Sequence, residues 1–293
     1  MERYEIEVFL ALAEELHFRR TAERLGLAQG RTSQVVKKLE RRIGAPLFVR
    51  TSRSVALTAL GVQFRDDLLP GHRQIQHAVA RAVEAARMGT SVLRVGYSGA
   101  FVAKVLLRAA DTFATRFPGS RVEIKEIQIG DPFGPIRAGH VDLQVTERPL
   151  DEPDLTPGPV LLSRPRVLMV PTGHAFARRS SLSLEDLADT ELVTITGPVP
   201  LYWLDYHFPR FTPQGRLIPQ GPAATYWPEV LPLISAGAGV SPAADIAEQY
   251  YAHPGVTWVP FHDADPIEYS FVWRTSHVTD QMRAFAETCL EHV

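Results

Sequence analysis

Apolar residues recur at helical spacing from the start of the chain. Val8, Phe9, Leu12, Ala13 and Leu16 form one stripe, with Glu5, Glu7, Glu14 and Glu15 outside it. That period predicts an amphipathic helix over 4–16 with one buried face. A shorter helix follows from Phe18 to Leu25, facing inward through Ala22 and Leu25. Gly26 supplies a tight turn, since glycine enters positive φ without a Cβ penalty. A third helix starts near Ala28 or Gln29 and runs to about Arg42. Val36, Leu39 and Ile43 are its inner stripe, helped by Val35 or Thr32, and Gly44 ends it. The pattern then changes to strands. Leu47-Phe48-Val49 and Val55–Leu57 flank a turn at Arg50–Arg53, which predicts a two-stranded wing with Arg50 and Arg53 at its tip.

From Thr58 to about Arg87 the helical period returns, with Thr58 as N-cap. Leu60, Phe64, Leu68, Ile75, Val79, Ala82 and Val83 form an apolar stripe, interrupted by Pro70-Gly71. Such a stripe with no obvious cover within its own domain predicts pairing with a second copy. From Ser91 onward, short β-prone runs alternate with helical stretches, the signature of open α/β sheets. The expected strands include 92–97, 121–127, 141–145, two around Arg164-Pro165, one near 216–219 and a last one in "EYSFVW". Helices are expected at 100–117, 132–139, 224–236, 244–251 and from Thr279. Ser183 and Asp186 form a capping box.

Charge sharpens the first 60 residues. The net charge is −2, yet residues 19–53 carry ten Lys/Arg against two Glu. A local excess of eight positive charges leaves −10 for the remainder, the footprint of a nucleic-acid module on an acidic body. The outer face of the third helix presents Gln29, Arg31, Ser33, Gln34, Lys37, Lys38 and Arg41. Arg and Gln can pair two-pronged with base edges, while Ser, Lys and Arg can hold phosphates. The candidate DNA contacts are therefore Gln29, Arg31, Thr32, Ser33, Gln34 and Lys37, with Arg50 and Arg53 from the wing. The single cysteine, Cys289, excludes an intramolecular disulfide. The acidic N-terminus lacks a signal-peptide pattern and no apolar run approaches bilayer length, so a cytoplasmic location is expected.

The segment "FRRTAERLGLAQGRTSQVVKKLERRIGAPLFVRTSRSVALTALG" resembles the N-terminal domain of LysR-type transcriptional regulators, densely from about Tyr4 to Gly61. Gly30 and Val35 depart from common family choices there. More diffusely, "LRVGYSG", "FPG", "IRAGHVDLQVT", "PRVLMVPTGHAFA", "LISAGAGVSPAA" and "FVWR" resemble the family's regulatory domain. The resemblance implies an α+β multi-domain chain. A winged helix-turn-helix would occupy 1–58 and a linker helix 59–89. An effector domain like periplasmic binding proteins would occupy 90–293, with subdomain I at 90–162 and 268–293 and subdomain II at 163–267. It also implies a homodimer or tetramer, a double-stranded operator, a small-molecule effector and RNA polymerase as partners, with no cofactor, metal or membrane.

The cleft can be placed independently, because ligands in open α/β sheets sit beyond the carboxyl ends of strands. Ser98-Gly99 closes the first strand and opens a helix, a ready anion site. Thr146-Glu147 and Thr194 to Thr196 end two further strands, and Tyr202, Trp203, Tyr226 and Trp227 offer walls for an aromatic or flat ligand. The candidate effector contacts are Ser98, Gly99, Thr146, Glu147, Thr196, Trp203, Tyr226 and Trp227. Glu147 would repel a carboxylate, which keeps an amine-bearing or neutral ligand open beside an organic acid. There is no Gly-x-Ser-x-Gly elbow, phosphate-cradling loop or His-Glu-x-x-His pair, so no enzyme is expected. The alternative from another class is a solute-binding protein with a basic N-terminal interaction arm.

Overall fold

A computed structural model describes residues 2–50, 55–88 and 91–293. The chain divides into two compact units, Met1–Ala82 and Val83–Val293. The first contains α1 (Arg3–Glu15), α2 (Phe18–Arg24), α3 (Gln29–Ile43), β1 (Phe48–Arg50), β2 (Val55–Leu57) and most of α4 (Ala59–Met88). Val8, Phe9, Leu12, Val36, Leu39, Leu47 and Phe48 form its core. Gly26 takes φ 65° in the turn between α2 and α3, and Gly44 takes φ 87° at the end of α3. Ala28 gives α3 no side-chain cap.

One buried carboxylate ties the helices together. Glu5 accepts from the Glu2 backbone and pairs with Lys38 at 2.9 Å and Arg42 at 3.0 Å. Those bonds, the backbone one first, hold its pKa down at about 2. A second carboxylate, Glu40, ties down the wing. Its Oε1 accepts from Leu47 N and Phe48 N, and its Oε2 from Arg50 at 2.7 Å. β1 and β2 pair antiparallel from Phe48↔Leu57 to Arg50↔Val55.

α4 opens on Thr58, whose hydroxyl accepts from Gly61 N at 2.9 Å. The helix continues through Pro70. Its stripe divides in two, a refinement of the expected all-paired face. Phe64, Leu68 and Leu69 pack on the first unit's own core. Beyond Pro70, Ile75, Val79 and Val83 are 55%, 51% and 44% exposed.

The second unit carries β3 (Ser91–Tyr97), α5 (Ala100–Arg116), β4 (Ser120–Glu126), α6 (Gly134–Arg137), β5 (Leu143–Glu147), β6 (Leu155–Arg164), β7 (Arg166–Pro171), β8 (Leu192–Ile195), α7 (Leu201–His207), β9 (Gln220–Ala224), α8 (Trp227–Ser235), β10 (Ser241–Ala244), β11 (Val256–Pro260), β12 (Ile267–Arg274) and α9 (Asp280–Leu290). A five-stranded sheet has the order β4-β3-β5-β12-β6. β3 runs parallel to β4 and β5, and β12 runs antiparallel to β5 and β6. A second layer has the order β10-β7-β11, and a Leu192↔Val240 bridge carries it toward the parallel pair β8-β9. Pro165 alone separates β6 from β7, and residues 261–266 return the chain to β12.

Three local expectations shift. The strand near 216–219 lies instead at Gln220–Ala224, because pairing with β8 begins only at Gln220, while Arg210–Ile218 forms its own turn. The helix at 132–139 shortens to Gly134–Arg137, and that at 244–251 is a 3-10 turn, Asp245–Gln249. Among the described residues no helix is long and apolar enough to cross a membrane.

Candidate DNA-binding face and effector cleft

On α3, Arg31, Gln34, Lys37 and Arg41 are exposed and lie within about one helical face. Ser33 is half-buried beside them. Arg31 leans over the Tyr4 ring, 5.7 Å from its centroid, and stays open to solvent. Thr32 corrects an expectation: it is 0% exposed and its hydroxyl is buried with no partner among the described residues. It falls one turn before Val36, so it belongs to the inner stripe and cannot meet a base. Arg50 is corrected as well. It is held by Glu40 and stacks over Phe18 at 5.0 Å, a wing brace rather than a free tip. Arg53 and the side chain of Gln29 lie outside the described residues.

In the second unit a cleft separates the two sheets. One wall comes from Ser98, Gly99, Phe101, Glu126, Gln128, Glu147 and Tyr269, and the other from Trp203, His207, Phe208, Trp227, Ala243 and Tyr251. It encloses about 50 Å³, room for a few waters at roughly 10–15 Å³ each. Ser98, Gly99, Glu147, Trp203 and Trp227 are thus brought together. Three other candidates are not. Thr146 is 3% exposed and, by strand alternation, points to the face opposite Glu147. Thr196 is exposed at the loop where Gly197 packs against Gly130, beside the cleft. Tyr226 is 48% exposed at the start of α8 and does not line the cleft.

Glu147 dominates the electrostatics. It stands opposite Tyr269 in the β5–β12 register, and the Tyr269 hydroxyl donates to its Oε1 at 3.1 Å. Burial raises its pKa to about 7, against the pull of Tyr269, Arg166 and Ser98. Burial likewise holds His207 down to about 3, with Arg166 adding repulsion; its Nε2 bonds the Arg148 carbonyl at 2.9 Å. Arg166 lies behind this wall, buried, donating to the carbonyls of Asp265 and Tyr206 and stacking on the Tyr206 ring. The anion site expected at Ser98-Gly99 is partly spent. Ala100 N donates to the Tyr251 hydroxyl at 3.2 Å, and Ser98 N to the Val145 carbonyl.

Sequence reasoning missed Tyr269, His207, Tyr251 and Glu126. Two had a usable signal: Tyr269 alternates with Phe271 and Trp273, and His207 falls one turn after Trp203. Tyr251 and Glu126 come from segments that only the tertiary fold brings here. Among the described residues no group of three or more His, Cys, Asp or Glu could hold a metal ion.

A helix-turn-helix with a β-wing, a long helix, and a two-sheet α/β unit with a central cleft define a ligand-responsive DNA-binding regulator. Comparison with known proteins agrees with that class. Residues 4–62 match the model for bacterial regulatory helix-turn-helix proteins of the lysR family, and residues 87–293 match that for the LysR substrate-binding domain. The chain belongs to the LysR family of transcriptional regulators. It is 30% identical over 291 residues to the uncharacterised regulator YnfL of Escherichia coli, covering 94% of this chain and 93% of that one. It is 29% identical over 282 residues to the regulator AlsR of Bacillus subtilis, covering 96% and 91%. Full-length CbnR complexed with its target DNA shares the fold at TM-score 0.66 and 20% identity, covering 100% of both chains. Full-length BenM does so at 0.54 and 20%, covering 99% and 96%. The N-terminal segment is therefore a DNA-binding domain rather than an interaction arm, and the family consists of regulators rather than enzymes.

Proposed function

We propose that this chain works as a dimer, or a dimer of dimers, on a partly palindromic operator, and that a small molecule bound beside Glu147 biases its DNA-bound state. The row Arg31, Gln34, Lys37 and Arg41 is the observation that carries the first half. It is a basic, hydrogen-bonding helix face left open by a core that buries the opposite side. Ser33 and Gln34 then read bases, while Lys37 neutralises a phosphate. The exposed stripe Ile75, Val79 and Val83 supports pairing through α4. A dimer of this kind meets successive major grooves, so its operator repeats about one helical turn apart. The effector acts only through unequal affinity for the competing arrangements.

Mobility-shift titrations on the DNA flanking the chain's own gene, against random duplex and across salt, test this. Ser33→Ala and Gln34→Ala are expected to narrow the gap between operator and random DNA. Lys37→Ala is expected to weaken both alike and to reduce the salt slope by about one. Equal losses on both DNAs for Ser33→Ala and Gln34→Ala would remove the base-reading assignment.

A further inference from the structure

We propose that the cleft selects a protonated primary amine carried on a flat apolar body, with Glu147 as the counter-ion. This rests on the reading of the cleft as the effector site and names the ligand class it takes. The lining contains two carboxylates, Glu126 and Glu147, and neither lysine nor arginine. Glu147 accepts from the Tyr269 hydroxyl at 3.1 Å, and the Ser98 side chain beside it also favours its charged form. Arg166 does not line the space, and its bonds go to two backbone carbonyls.

A ligand carboxylate would find poor reception here. The first N–H of α5 is occupied by the Tyr251 hydroxyl, and the Ser98 N–H by a strand carbonyl. It would also have to approach Glu147 in a space that excludes most water, where like charges are poorly screened. An ammonium group meets the reverse situation. It supplies donors to Glu147 and to the Ser98 hydroxyl, and a desolvated charge-assisted pair is strong. Trp203, Trp227, Tyr251, Tyr269 and Phe101 bound the rest of the space. Their rings suit a flat body and add cation–π attraction for the charged end. The buried Trp227 Nε1 has no acceptor among the described residues, so it is available to an oxygen on the same ligand.

The test uses the full chain and three probes of one shape: phenethylamine, 2-phenylethanol and phenylacetate. Binding is read from tryptophan fluorescence and from the thermal midpoint of the effector unit. Phenethylamine is expected to give a saturable response, with phenylacetate at least tenfold weaker. Glu147→Gln should weaken phenethylamine at least tenfold and narrow or reverse its lead over 2-phenylethanol. Gln128→Trp, which fills the mouth from an exposed position, should abolish every response. Preferential binding of phenylacetate that Gln128→Trp abolishes would overturn amine selection while leaving the cleft reading in place. Phenethylamine binding unaffected by Gln128→Trp would overturn the cleft reading itself. Glu147→Gln that unfolds cooperatively, as a native fold does, yet binds phenethylamine normally would overturn the counter-ion role. So would the absence of any saturable response to phenethylamine, tryptamine or hexylamine at 20 mM.

Discussion

Replacing Glu147 by Gln should stabilise the effector unit at pH 8 and leave it nearly unchanged near pH 4.5. The folded-state pKa of about 7 stands above the ordinary 4.5, with burial as the largest cause. A native state that binds a proton more tightly than the unfolded chain loses stability as pH rises between those values. At roughly 1.4 kcal/mol per pH unit the full loss is about 3 kcal/mol, an upper figure that local water entry reduces. Gln carries no charge, so the variant escapes the loss. His207 acts in the opposite sense. Its pKa is held down at about 3 from 6.5, so the wild type loses stability as pH falls below 6.5. Between 4.5 and 6.5 the two slopes nearly cancel in the wild type. Glu147→Gln therefore unmasks the His207 slope, and the variant-minus-wild-type curve isolates Glu147. Urea unfolding of the full chain across pH 4.5–8.5, followed by tryptophan fluorescence, reports on this unit because Trp203, Trp227, Trp258 and Trp273 all lie in it. A difference that stays flat with pH, or a variant less stable than wild type at pH 8, would show that Arg166 and Tyr269 stabilise the anion and would refute the reasoning.

Four shorter predictions accompany it. Val79→Glu places a charge on the exposed stripe of α4 and should yield monomers in light scattering, with operator affinity falling at least tenfold. Glu40→Ala removes the acceptor for Leu47 N, Phe48 N and Arg50; it should destabilise the first unit by about 2 kcal/mol, typical for bonds to a charged group, read by hydrogen exchange in the wing. Gly61→Ala would set a Cβ 2.1 Å from the Leu47 carbonyl oxygen, so the first unit should fail to fold normally and operator binding should vanish. Cys289 is buried and its thiol is pushed up to about 12, so a native chain should resist thiol reagents that label it rapidly in urea.

Much of the first unit was legible because its signals are local. The stripe Val36-Leu39, the glycine at position 44 and the cap at Thr58 each follow from residues within a turn or two. Thr32 was misjudged because residue type was weighed above periodicity: its spacing from Val36 and Leu39 placed it inside, and its hydroxyl suggested DNA. Arg50 was misjudged because its partner, Glu40, lies ten residues away on another element. In the cleft, alternation alone separates Glu147 from Thr146, but which of the two faces the cleft depends on the neighbouring sheet. Tyr251 and Glu126 reach the cleft from segments more than a hundred residues apart, and no local pattern encodes that meeting. The β9 strand shows the same limit, since Leu217 and Ile218 look strand-like but β8 pairs farther along.

The narrowness of the cleft can make its occupancy a mechanical event. The space between the walls is small, about 50 Å³, so a ligand of nine or ten heavy atoms either extends through the mouth or parts the walls. The walls are joined by specific links: Trp203 Nε1 to the Glu147 carbonyl at 3.4 Å, Tyr202 to Glu152 at 3.0 Å, His207 to the Arg148 carbonyl at 2.9 Å, Tyr251 to Ala100 N at 3.2 Å, and Arg164 to Asp245 at 2.8 Å beside the crossover. Each neutral link contributes about 1 kcal/mol, and the half-exposed Arg164–Asp245 pair no more than that. Parting three of them therefore costs about 3 kcal/mol, which the ligand must offset with contacts available only in the parted arrangement. On the proposed function that difference in affinity couples cleft to operator, and linkage makes it reciprocal: DNA shifts effector affinity by the same factor that effector shifts DNA affinity. Three of those links run to backbone groups flanking or within the strand end that carries Glu147 or the start of α5. Two of them, from Trp203 and His207, end on the carbonyls of Glu147 and Arg148, so a displacement of that wall is felt at the strand end that carries Glu147.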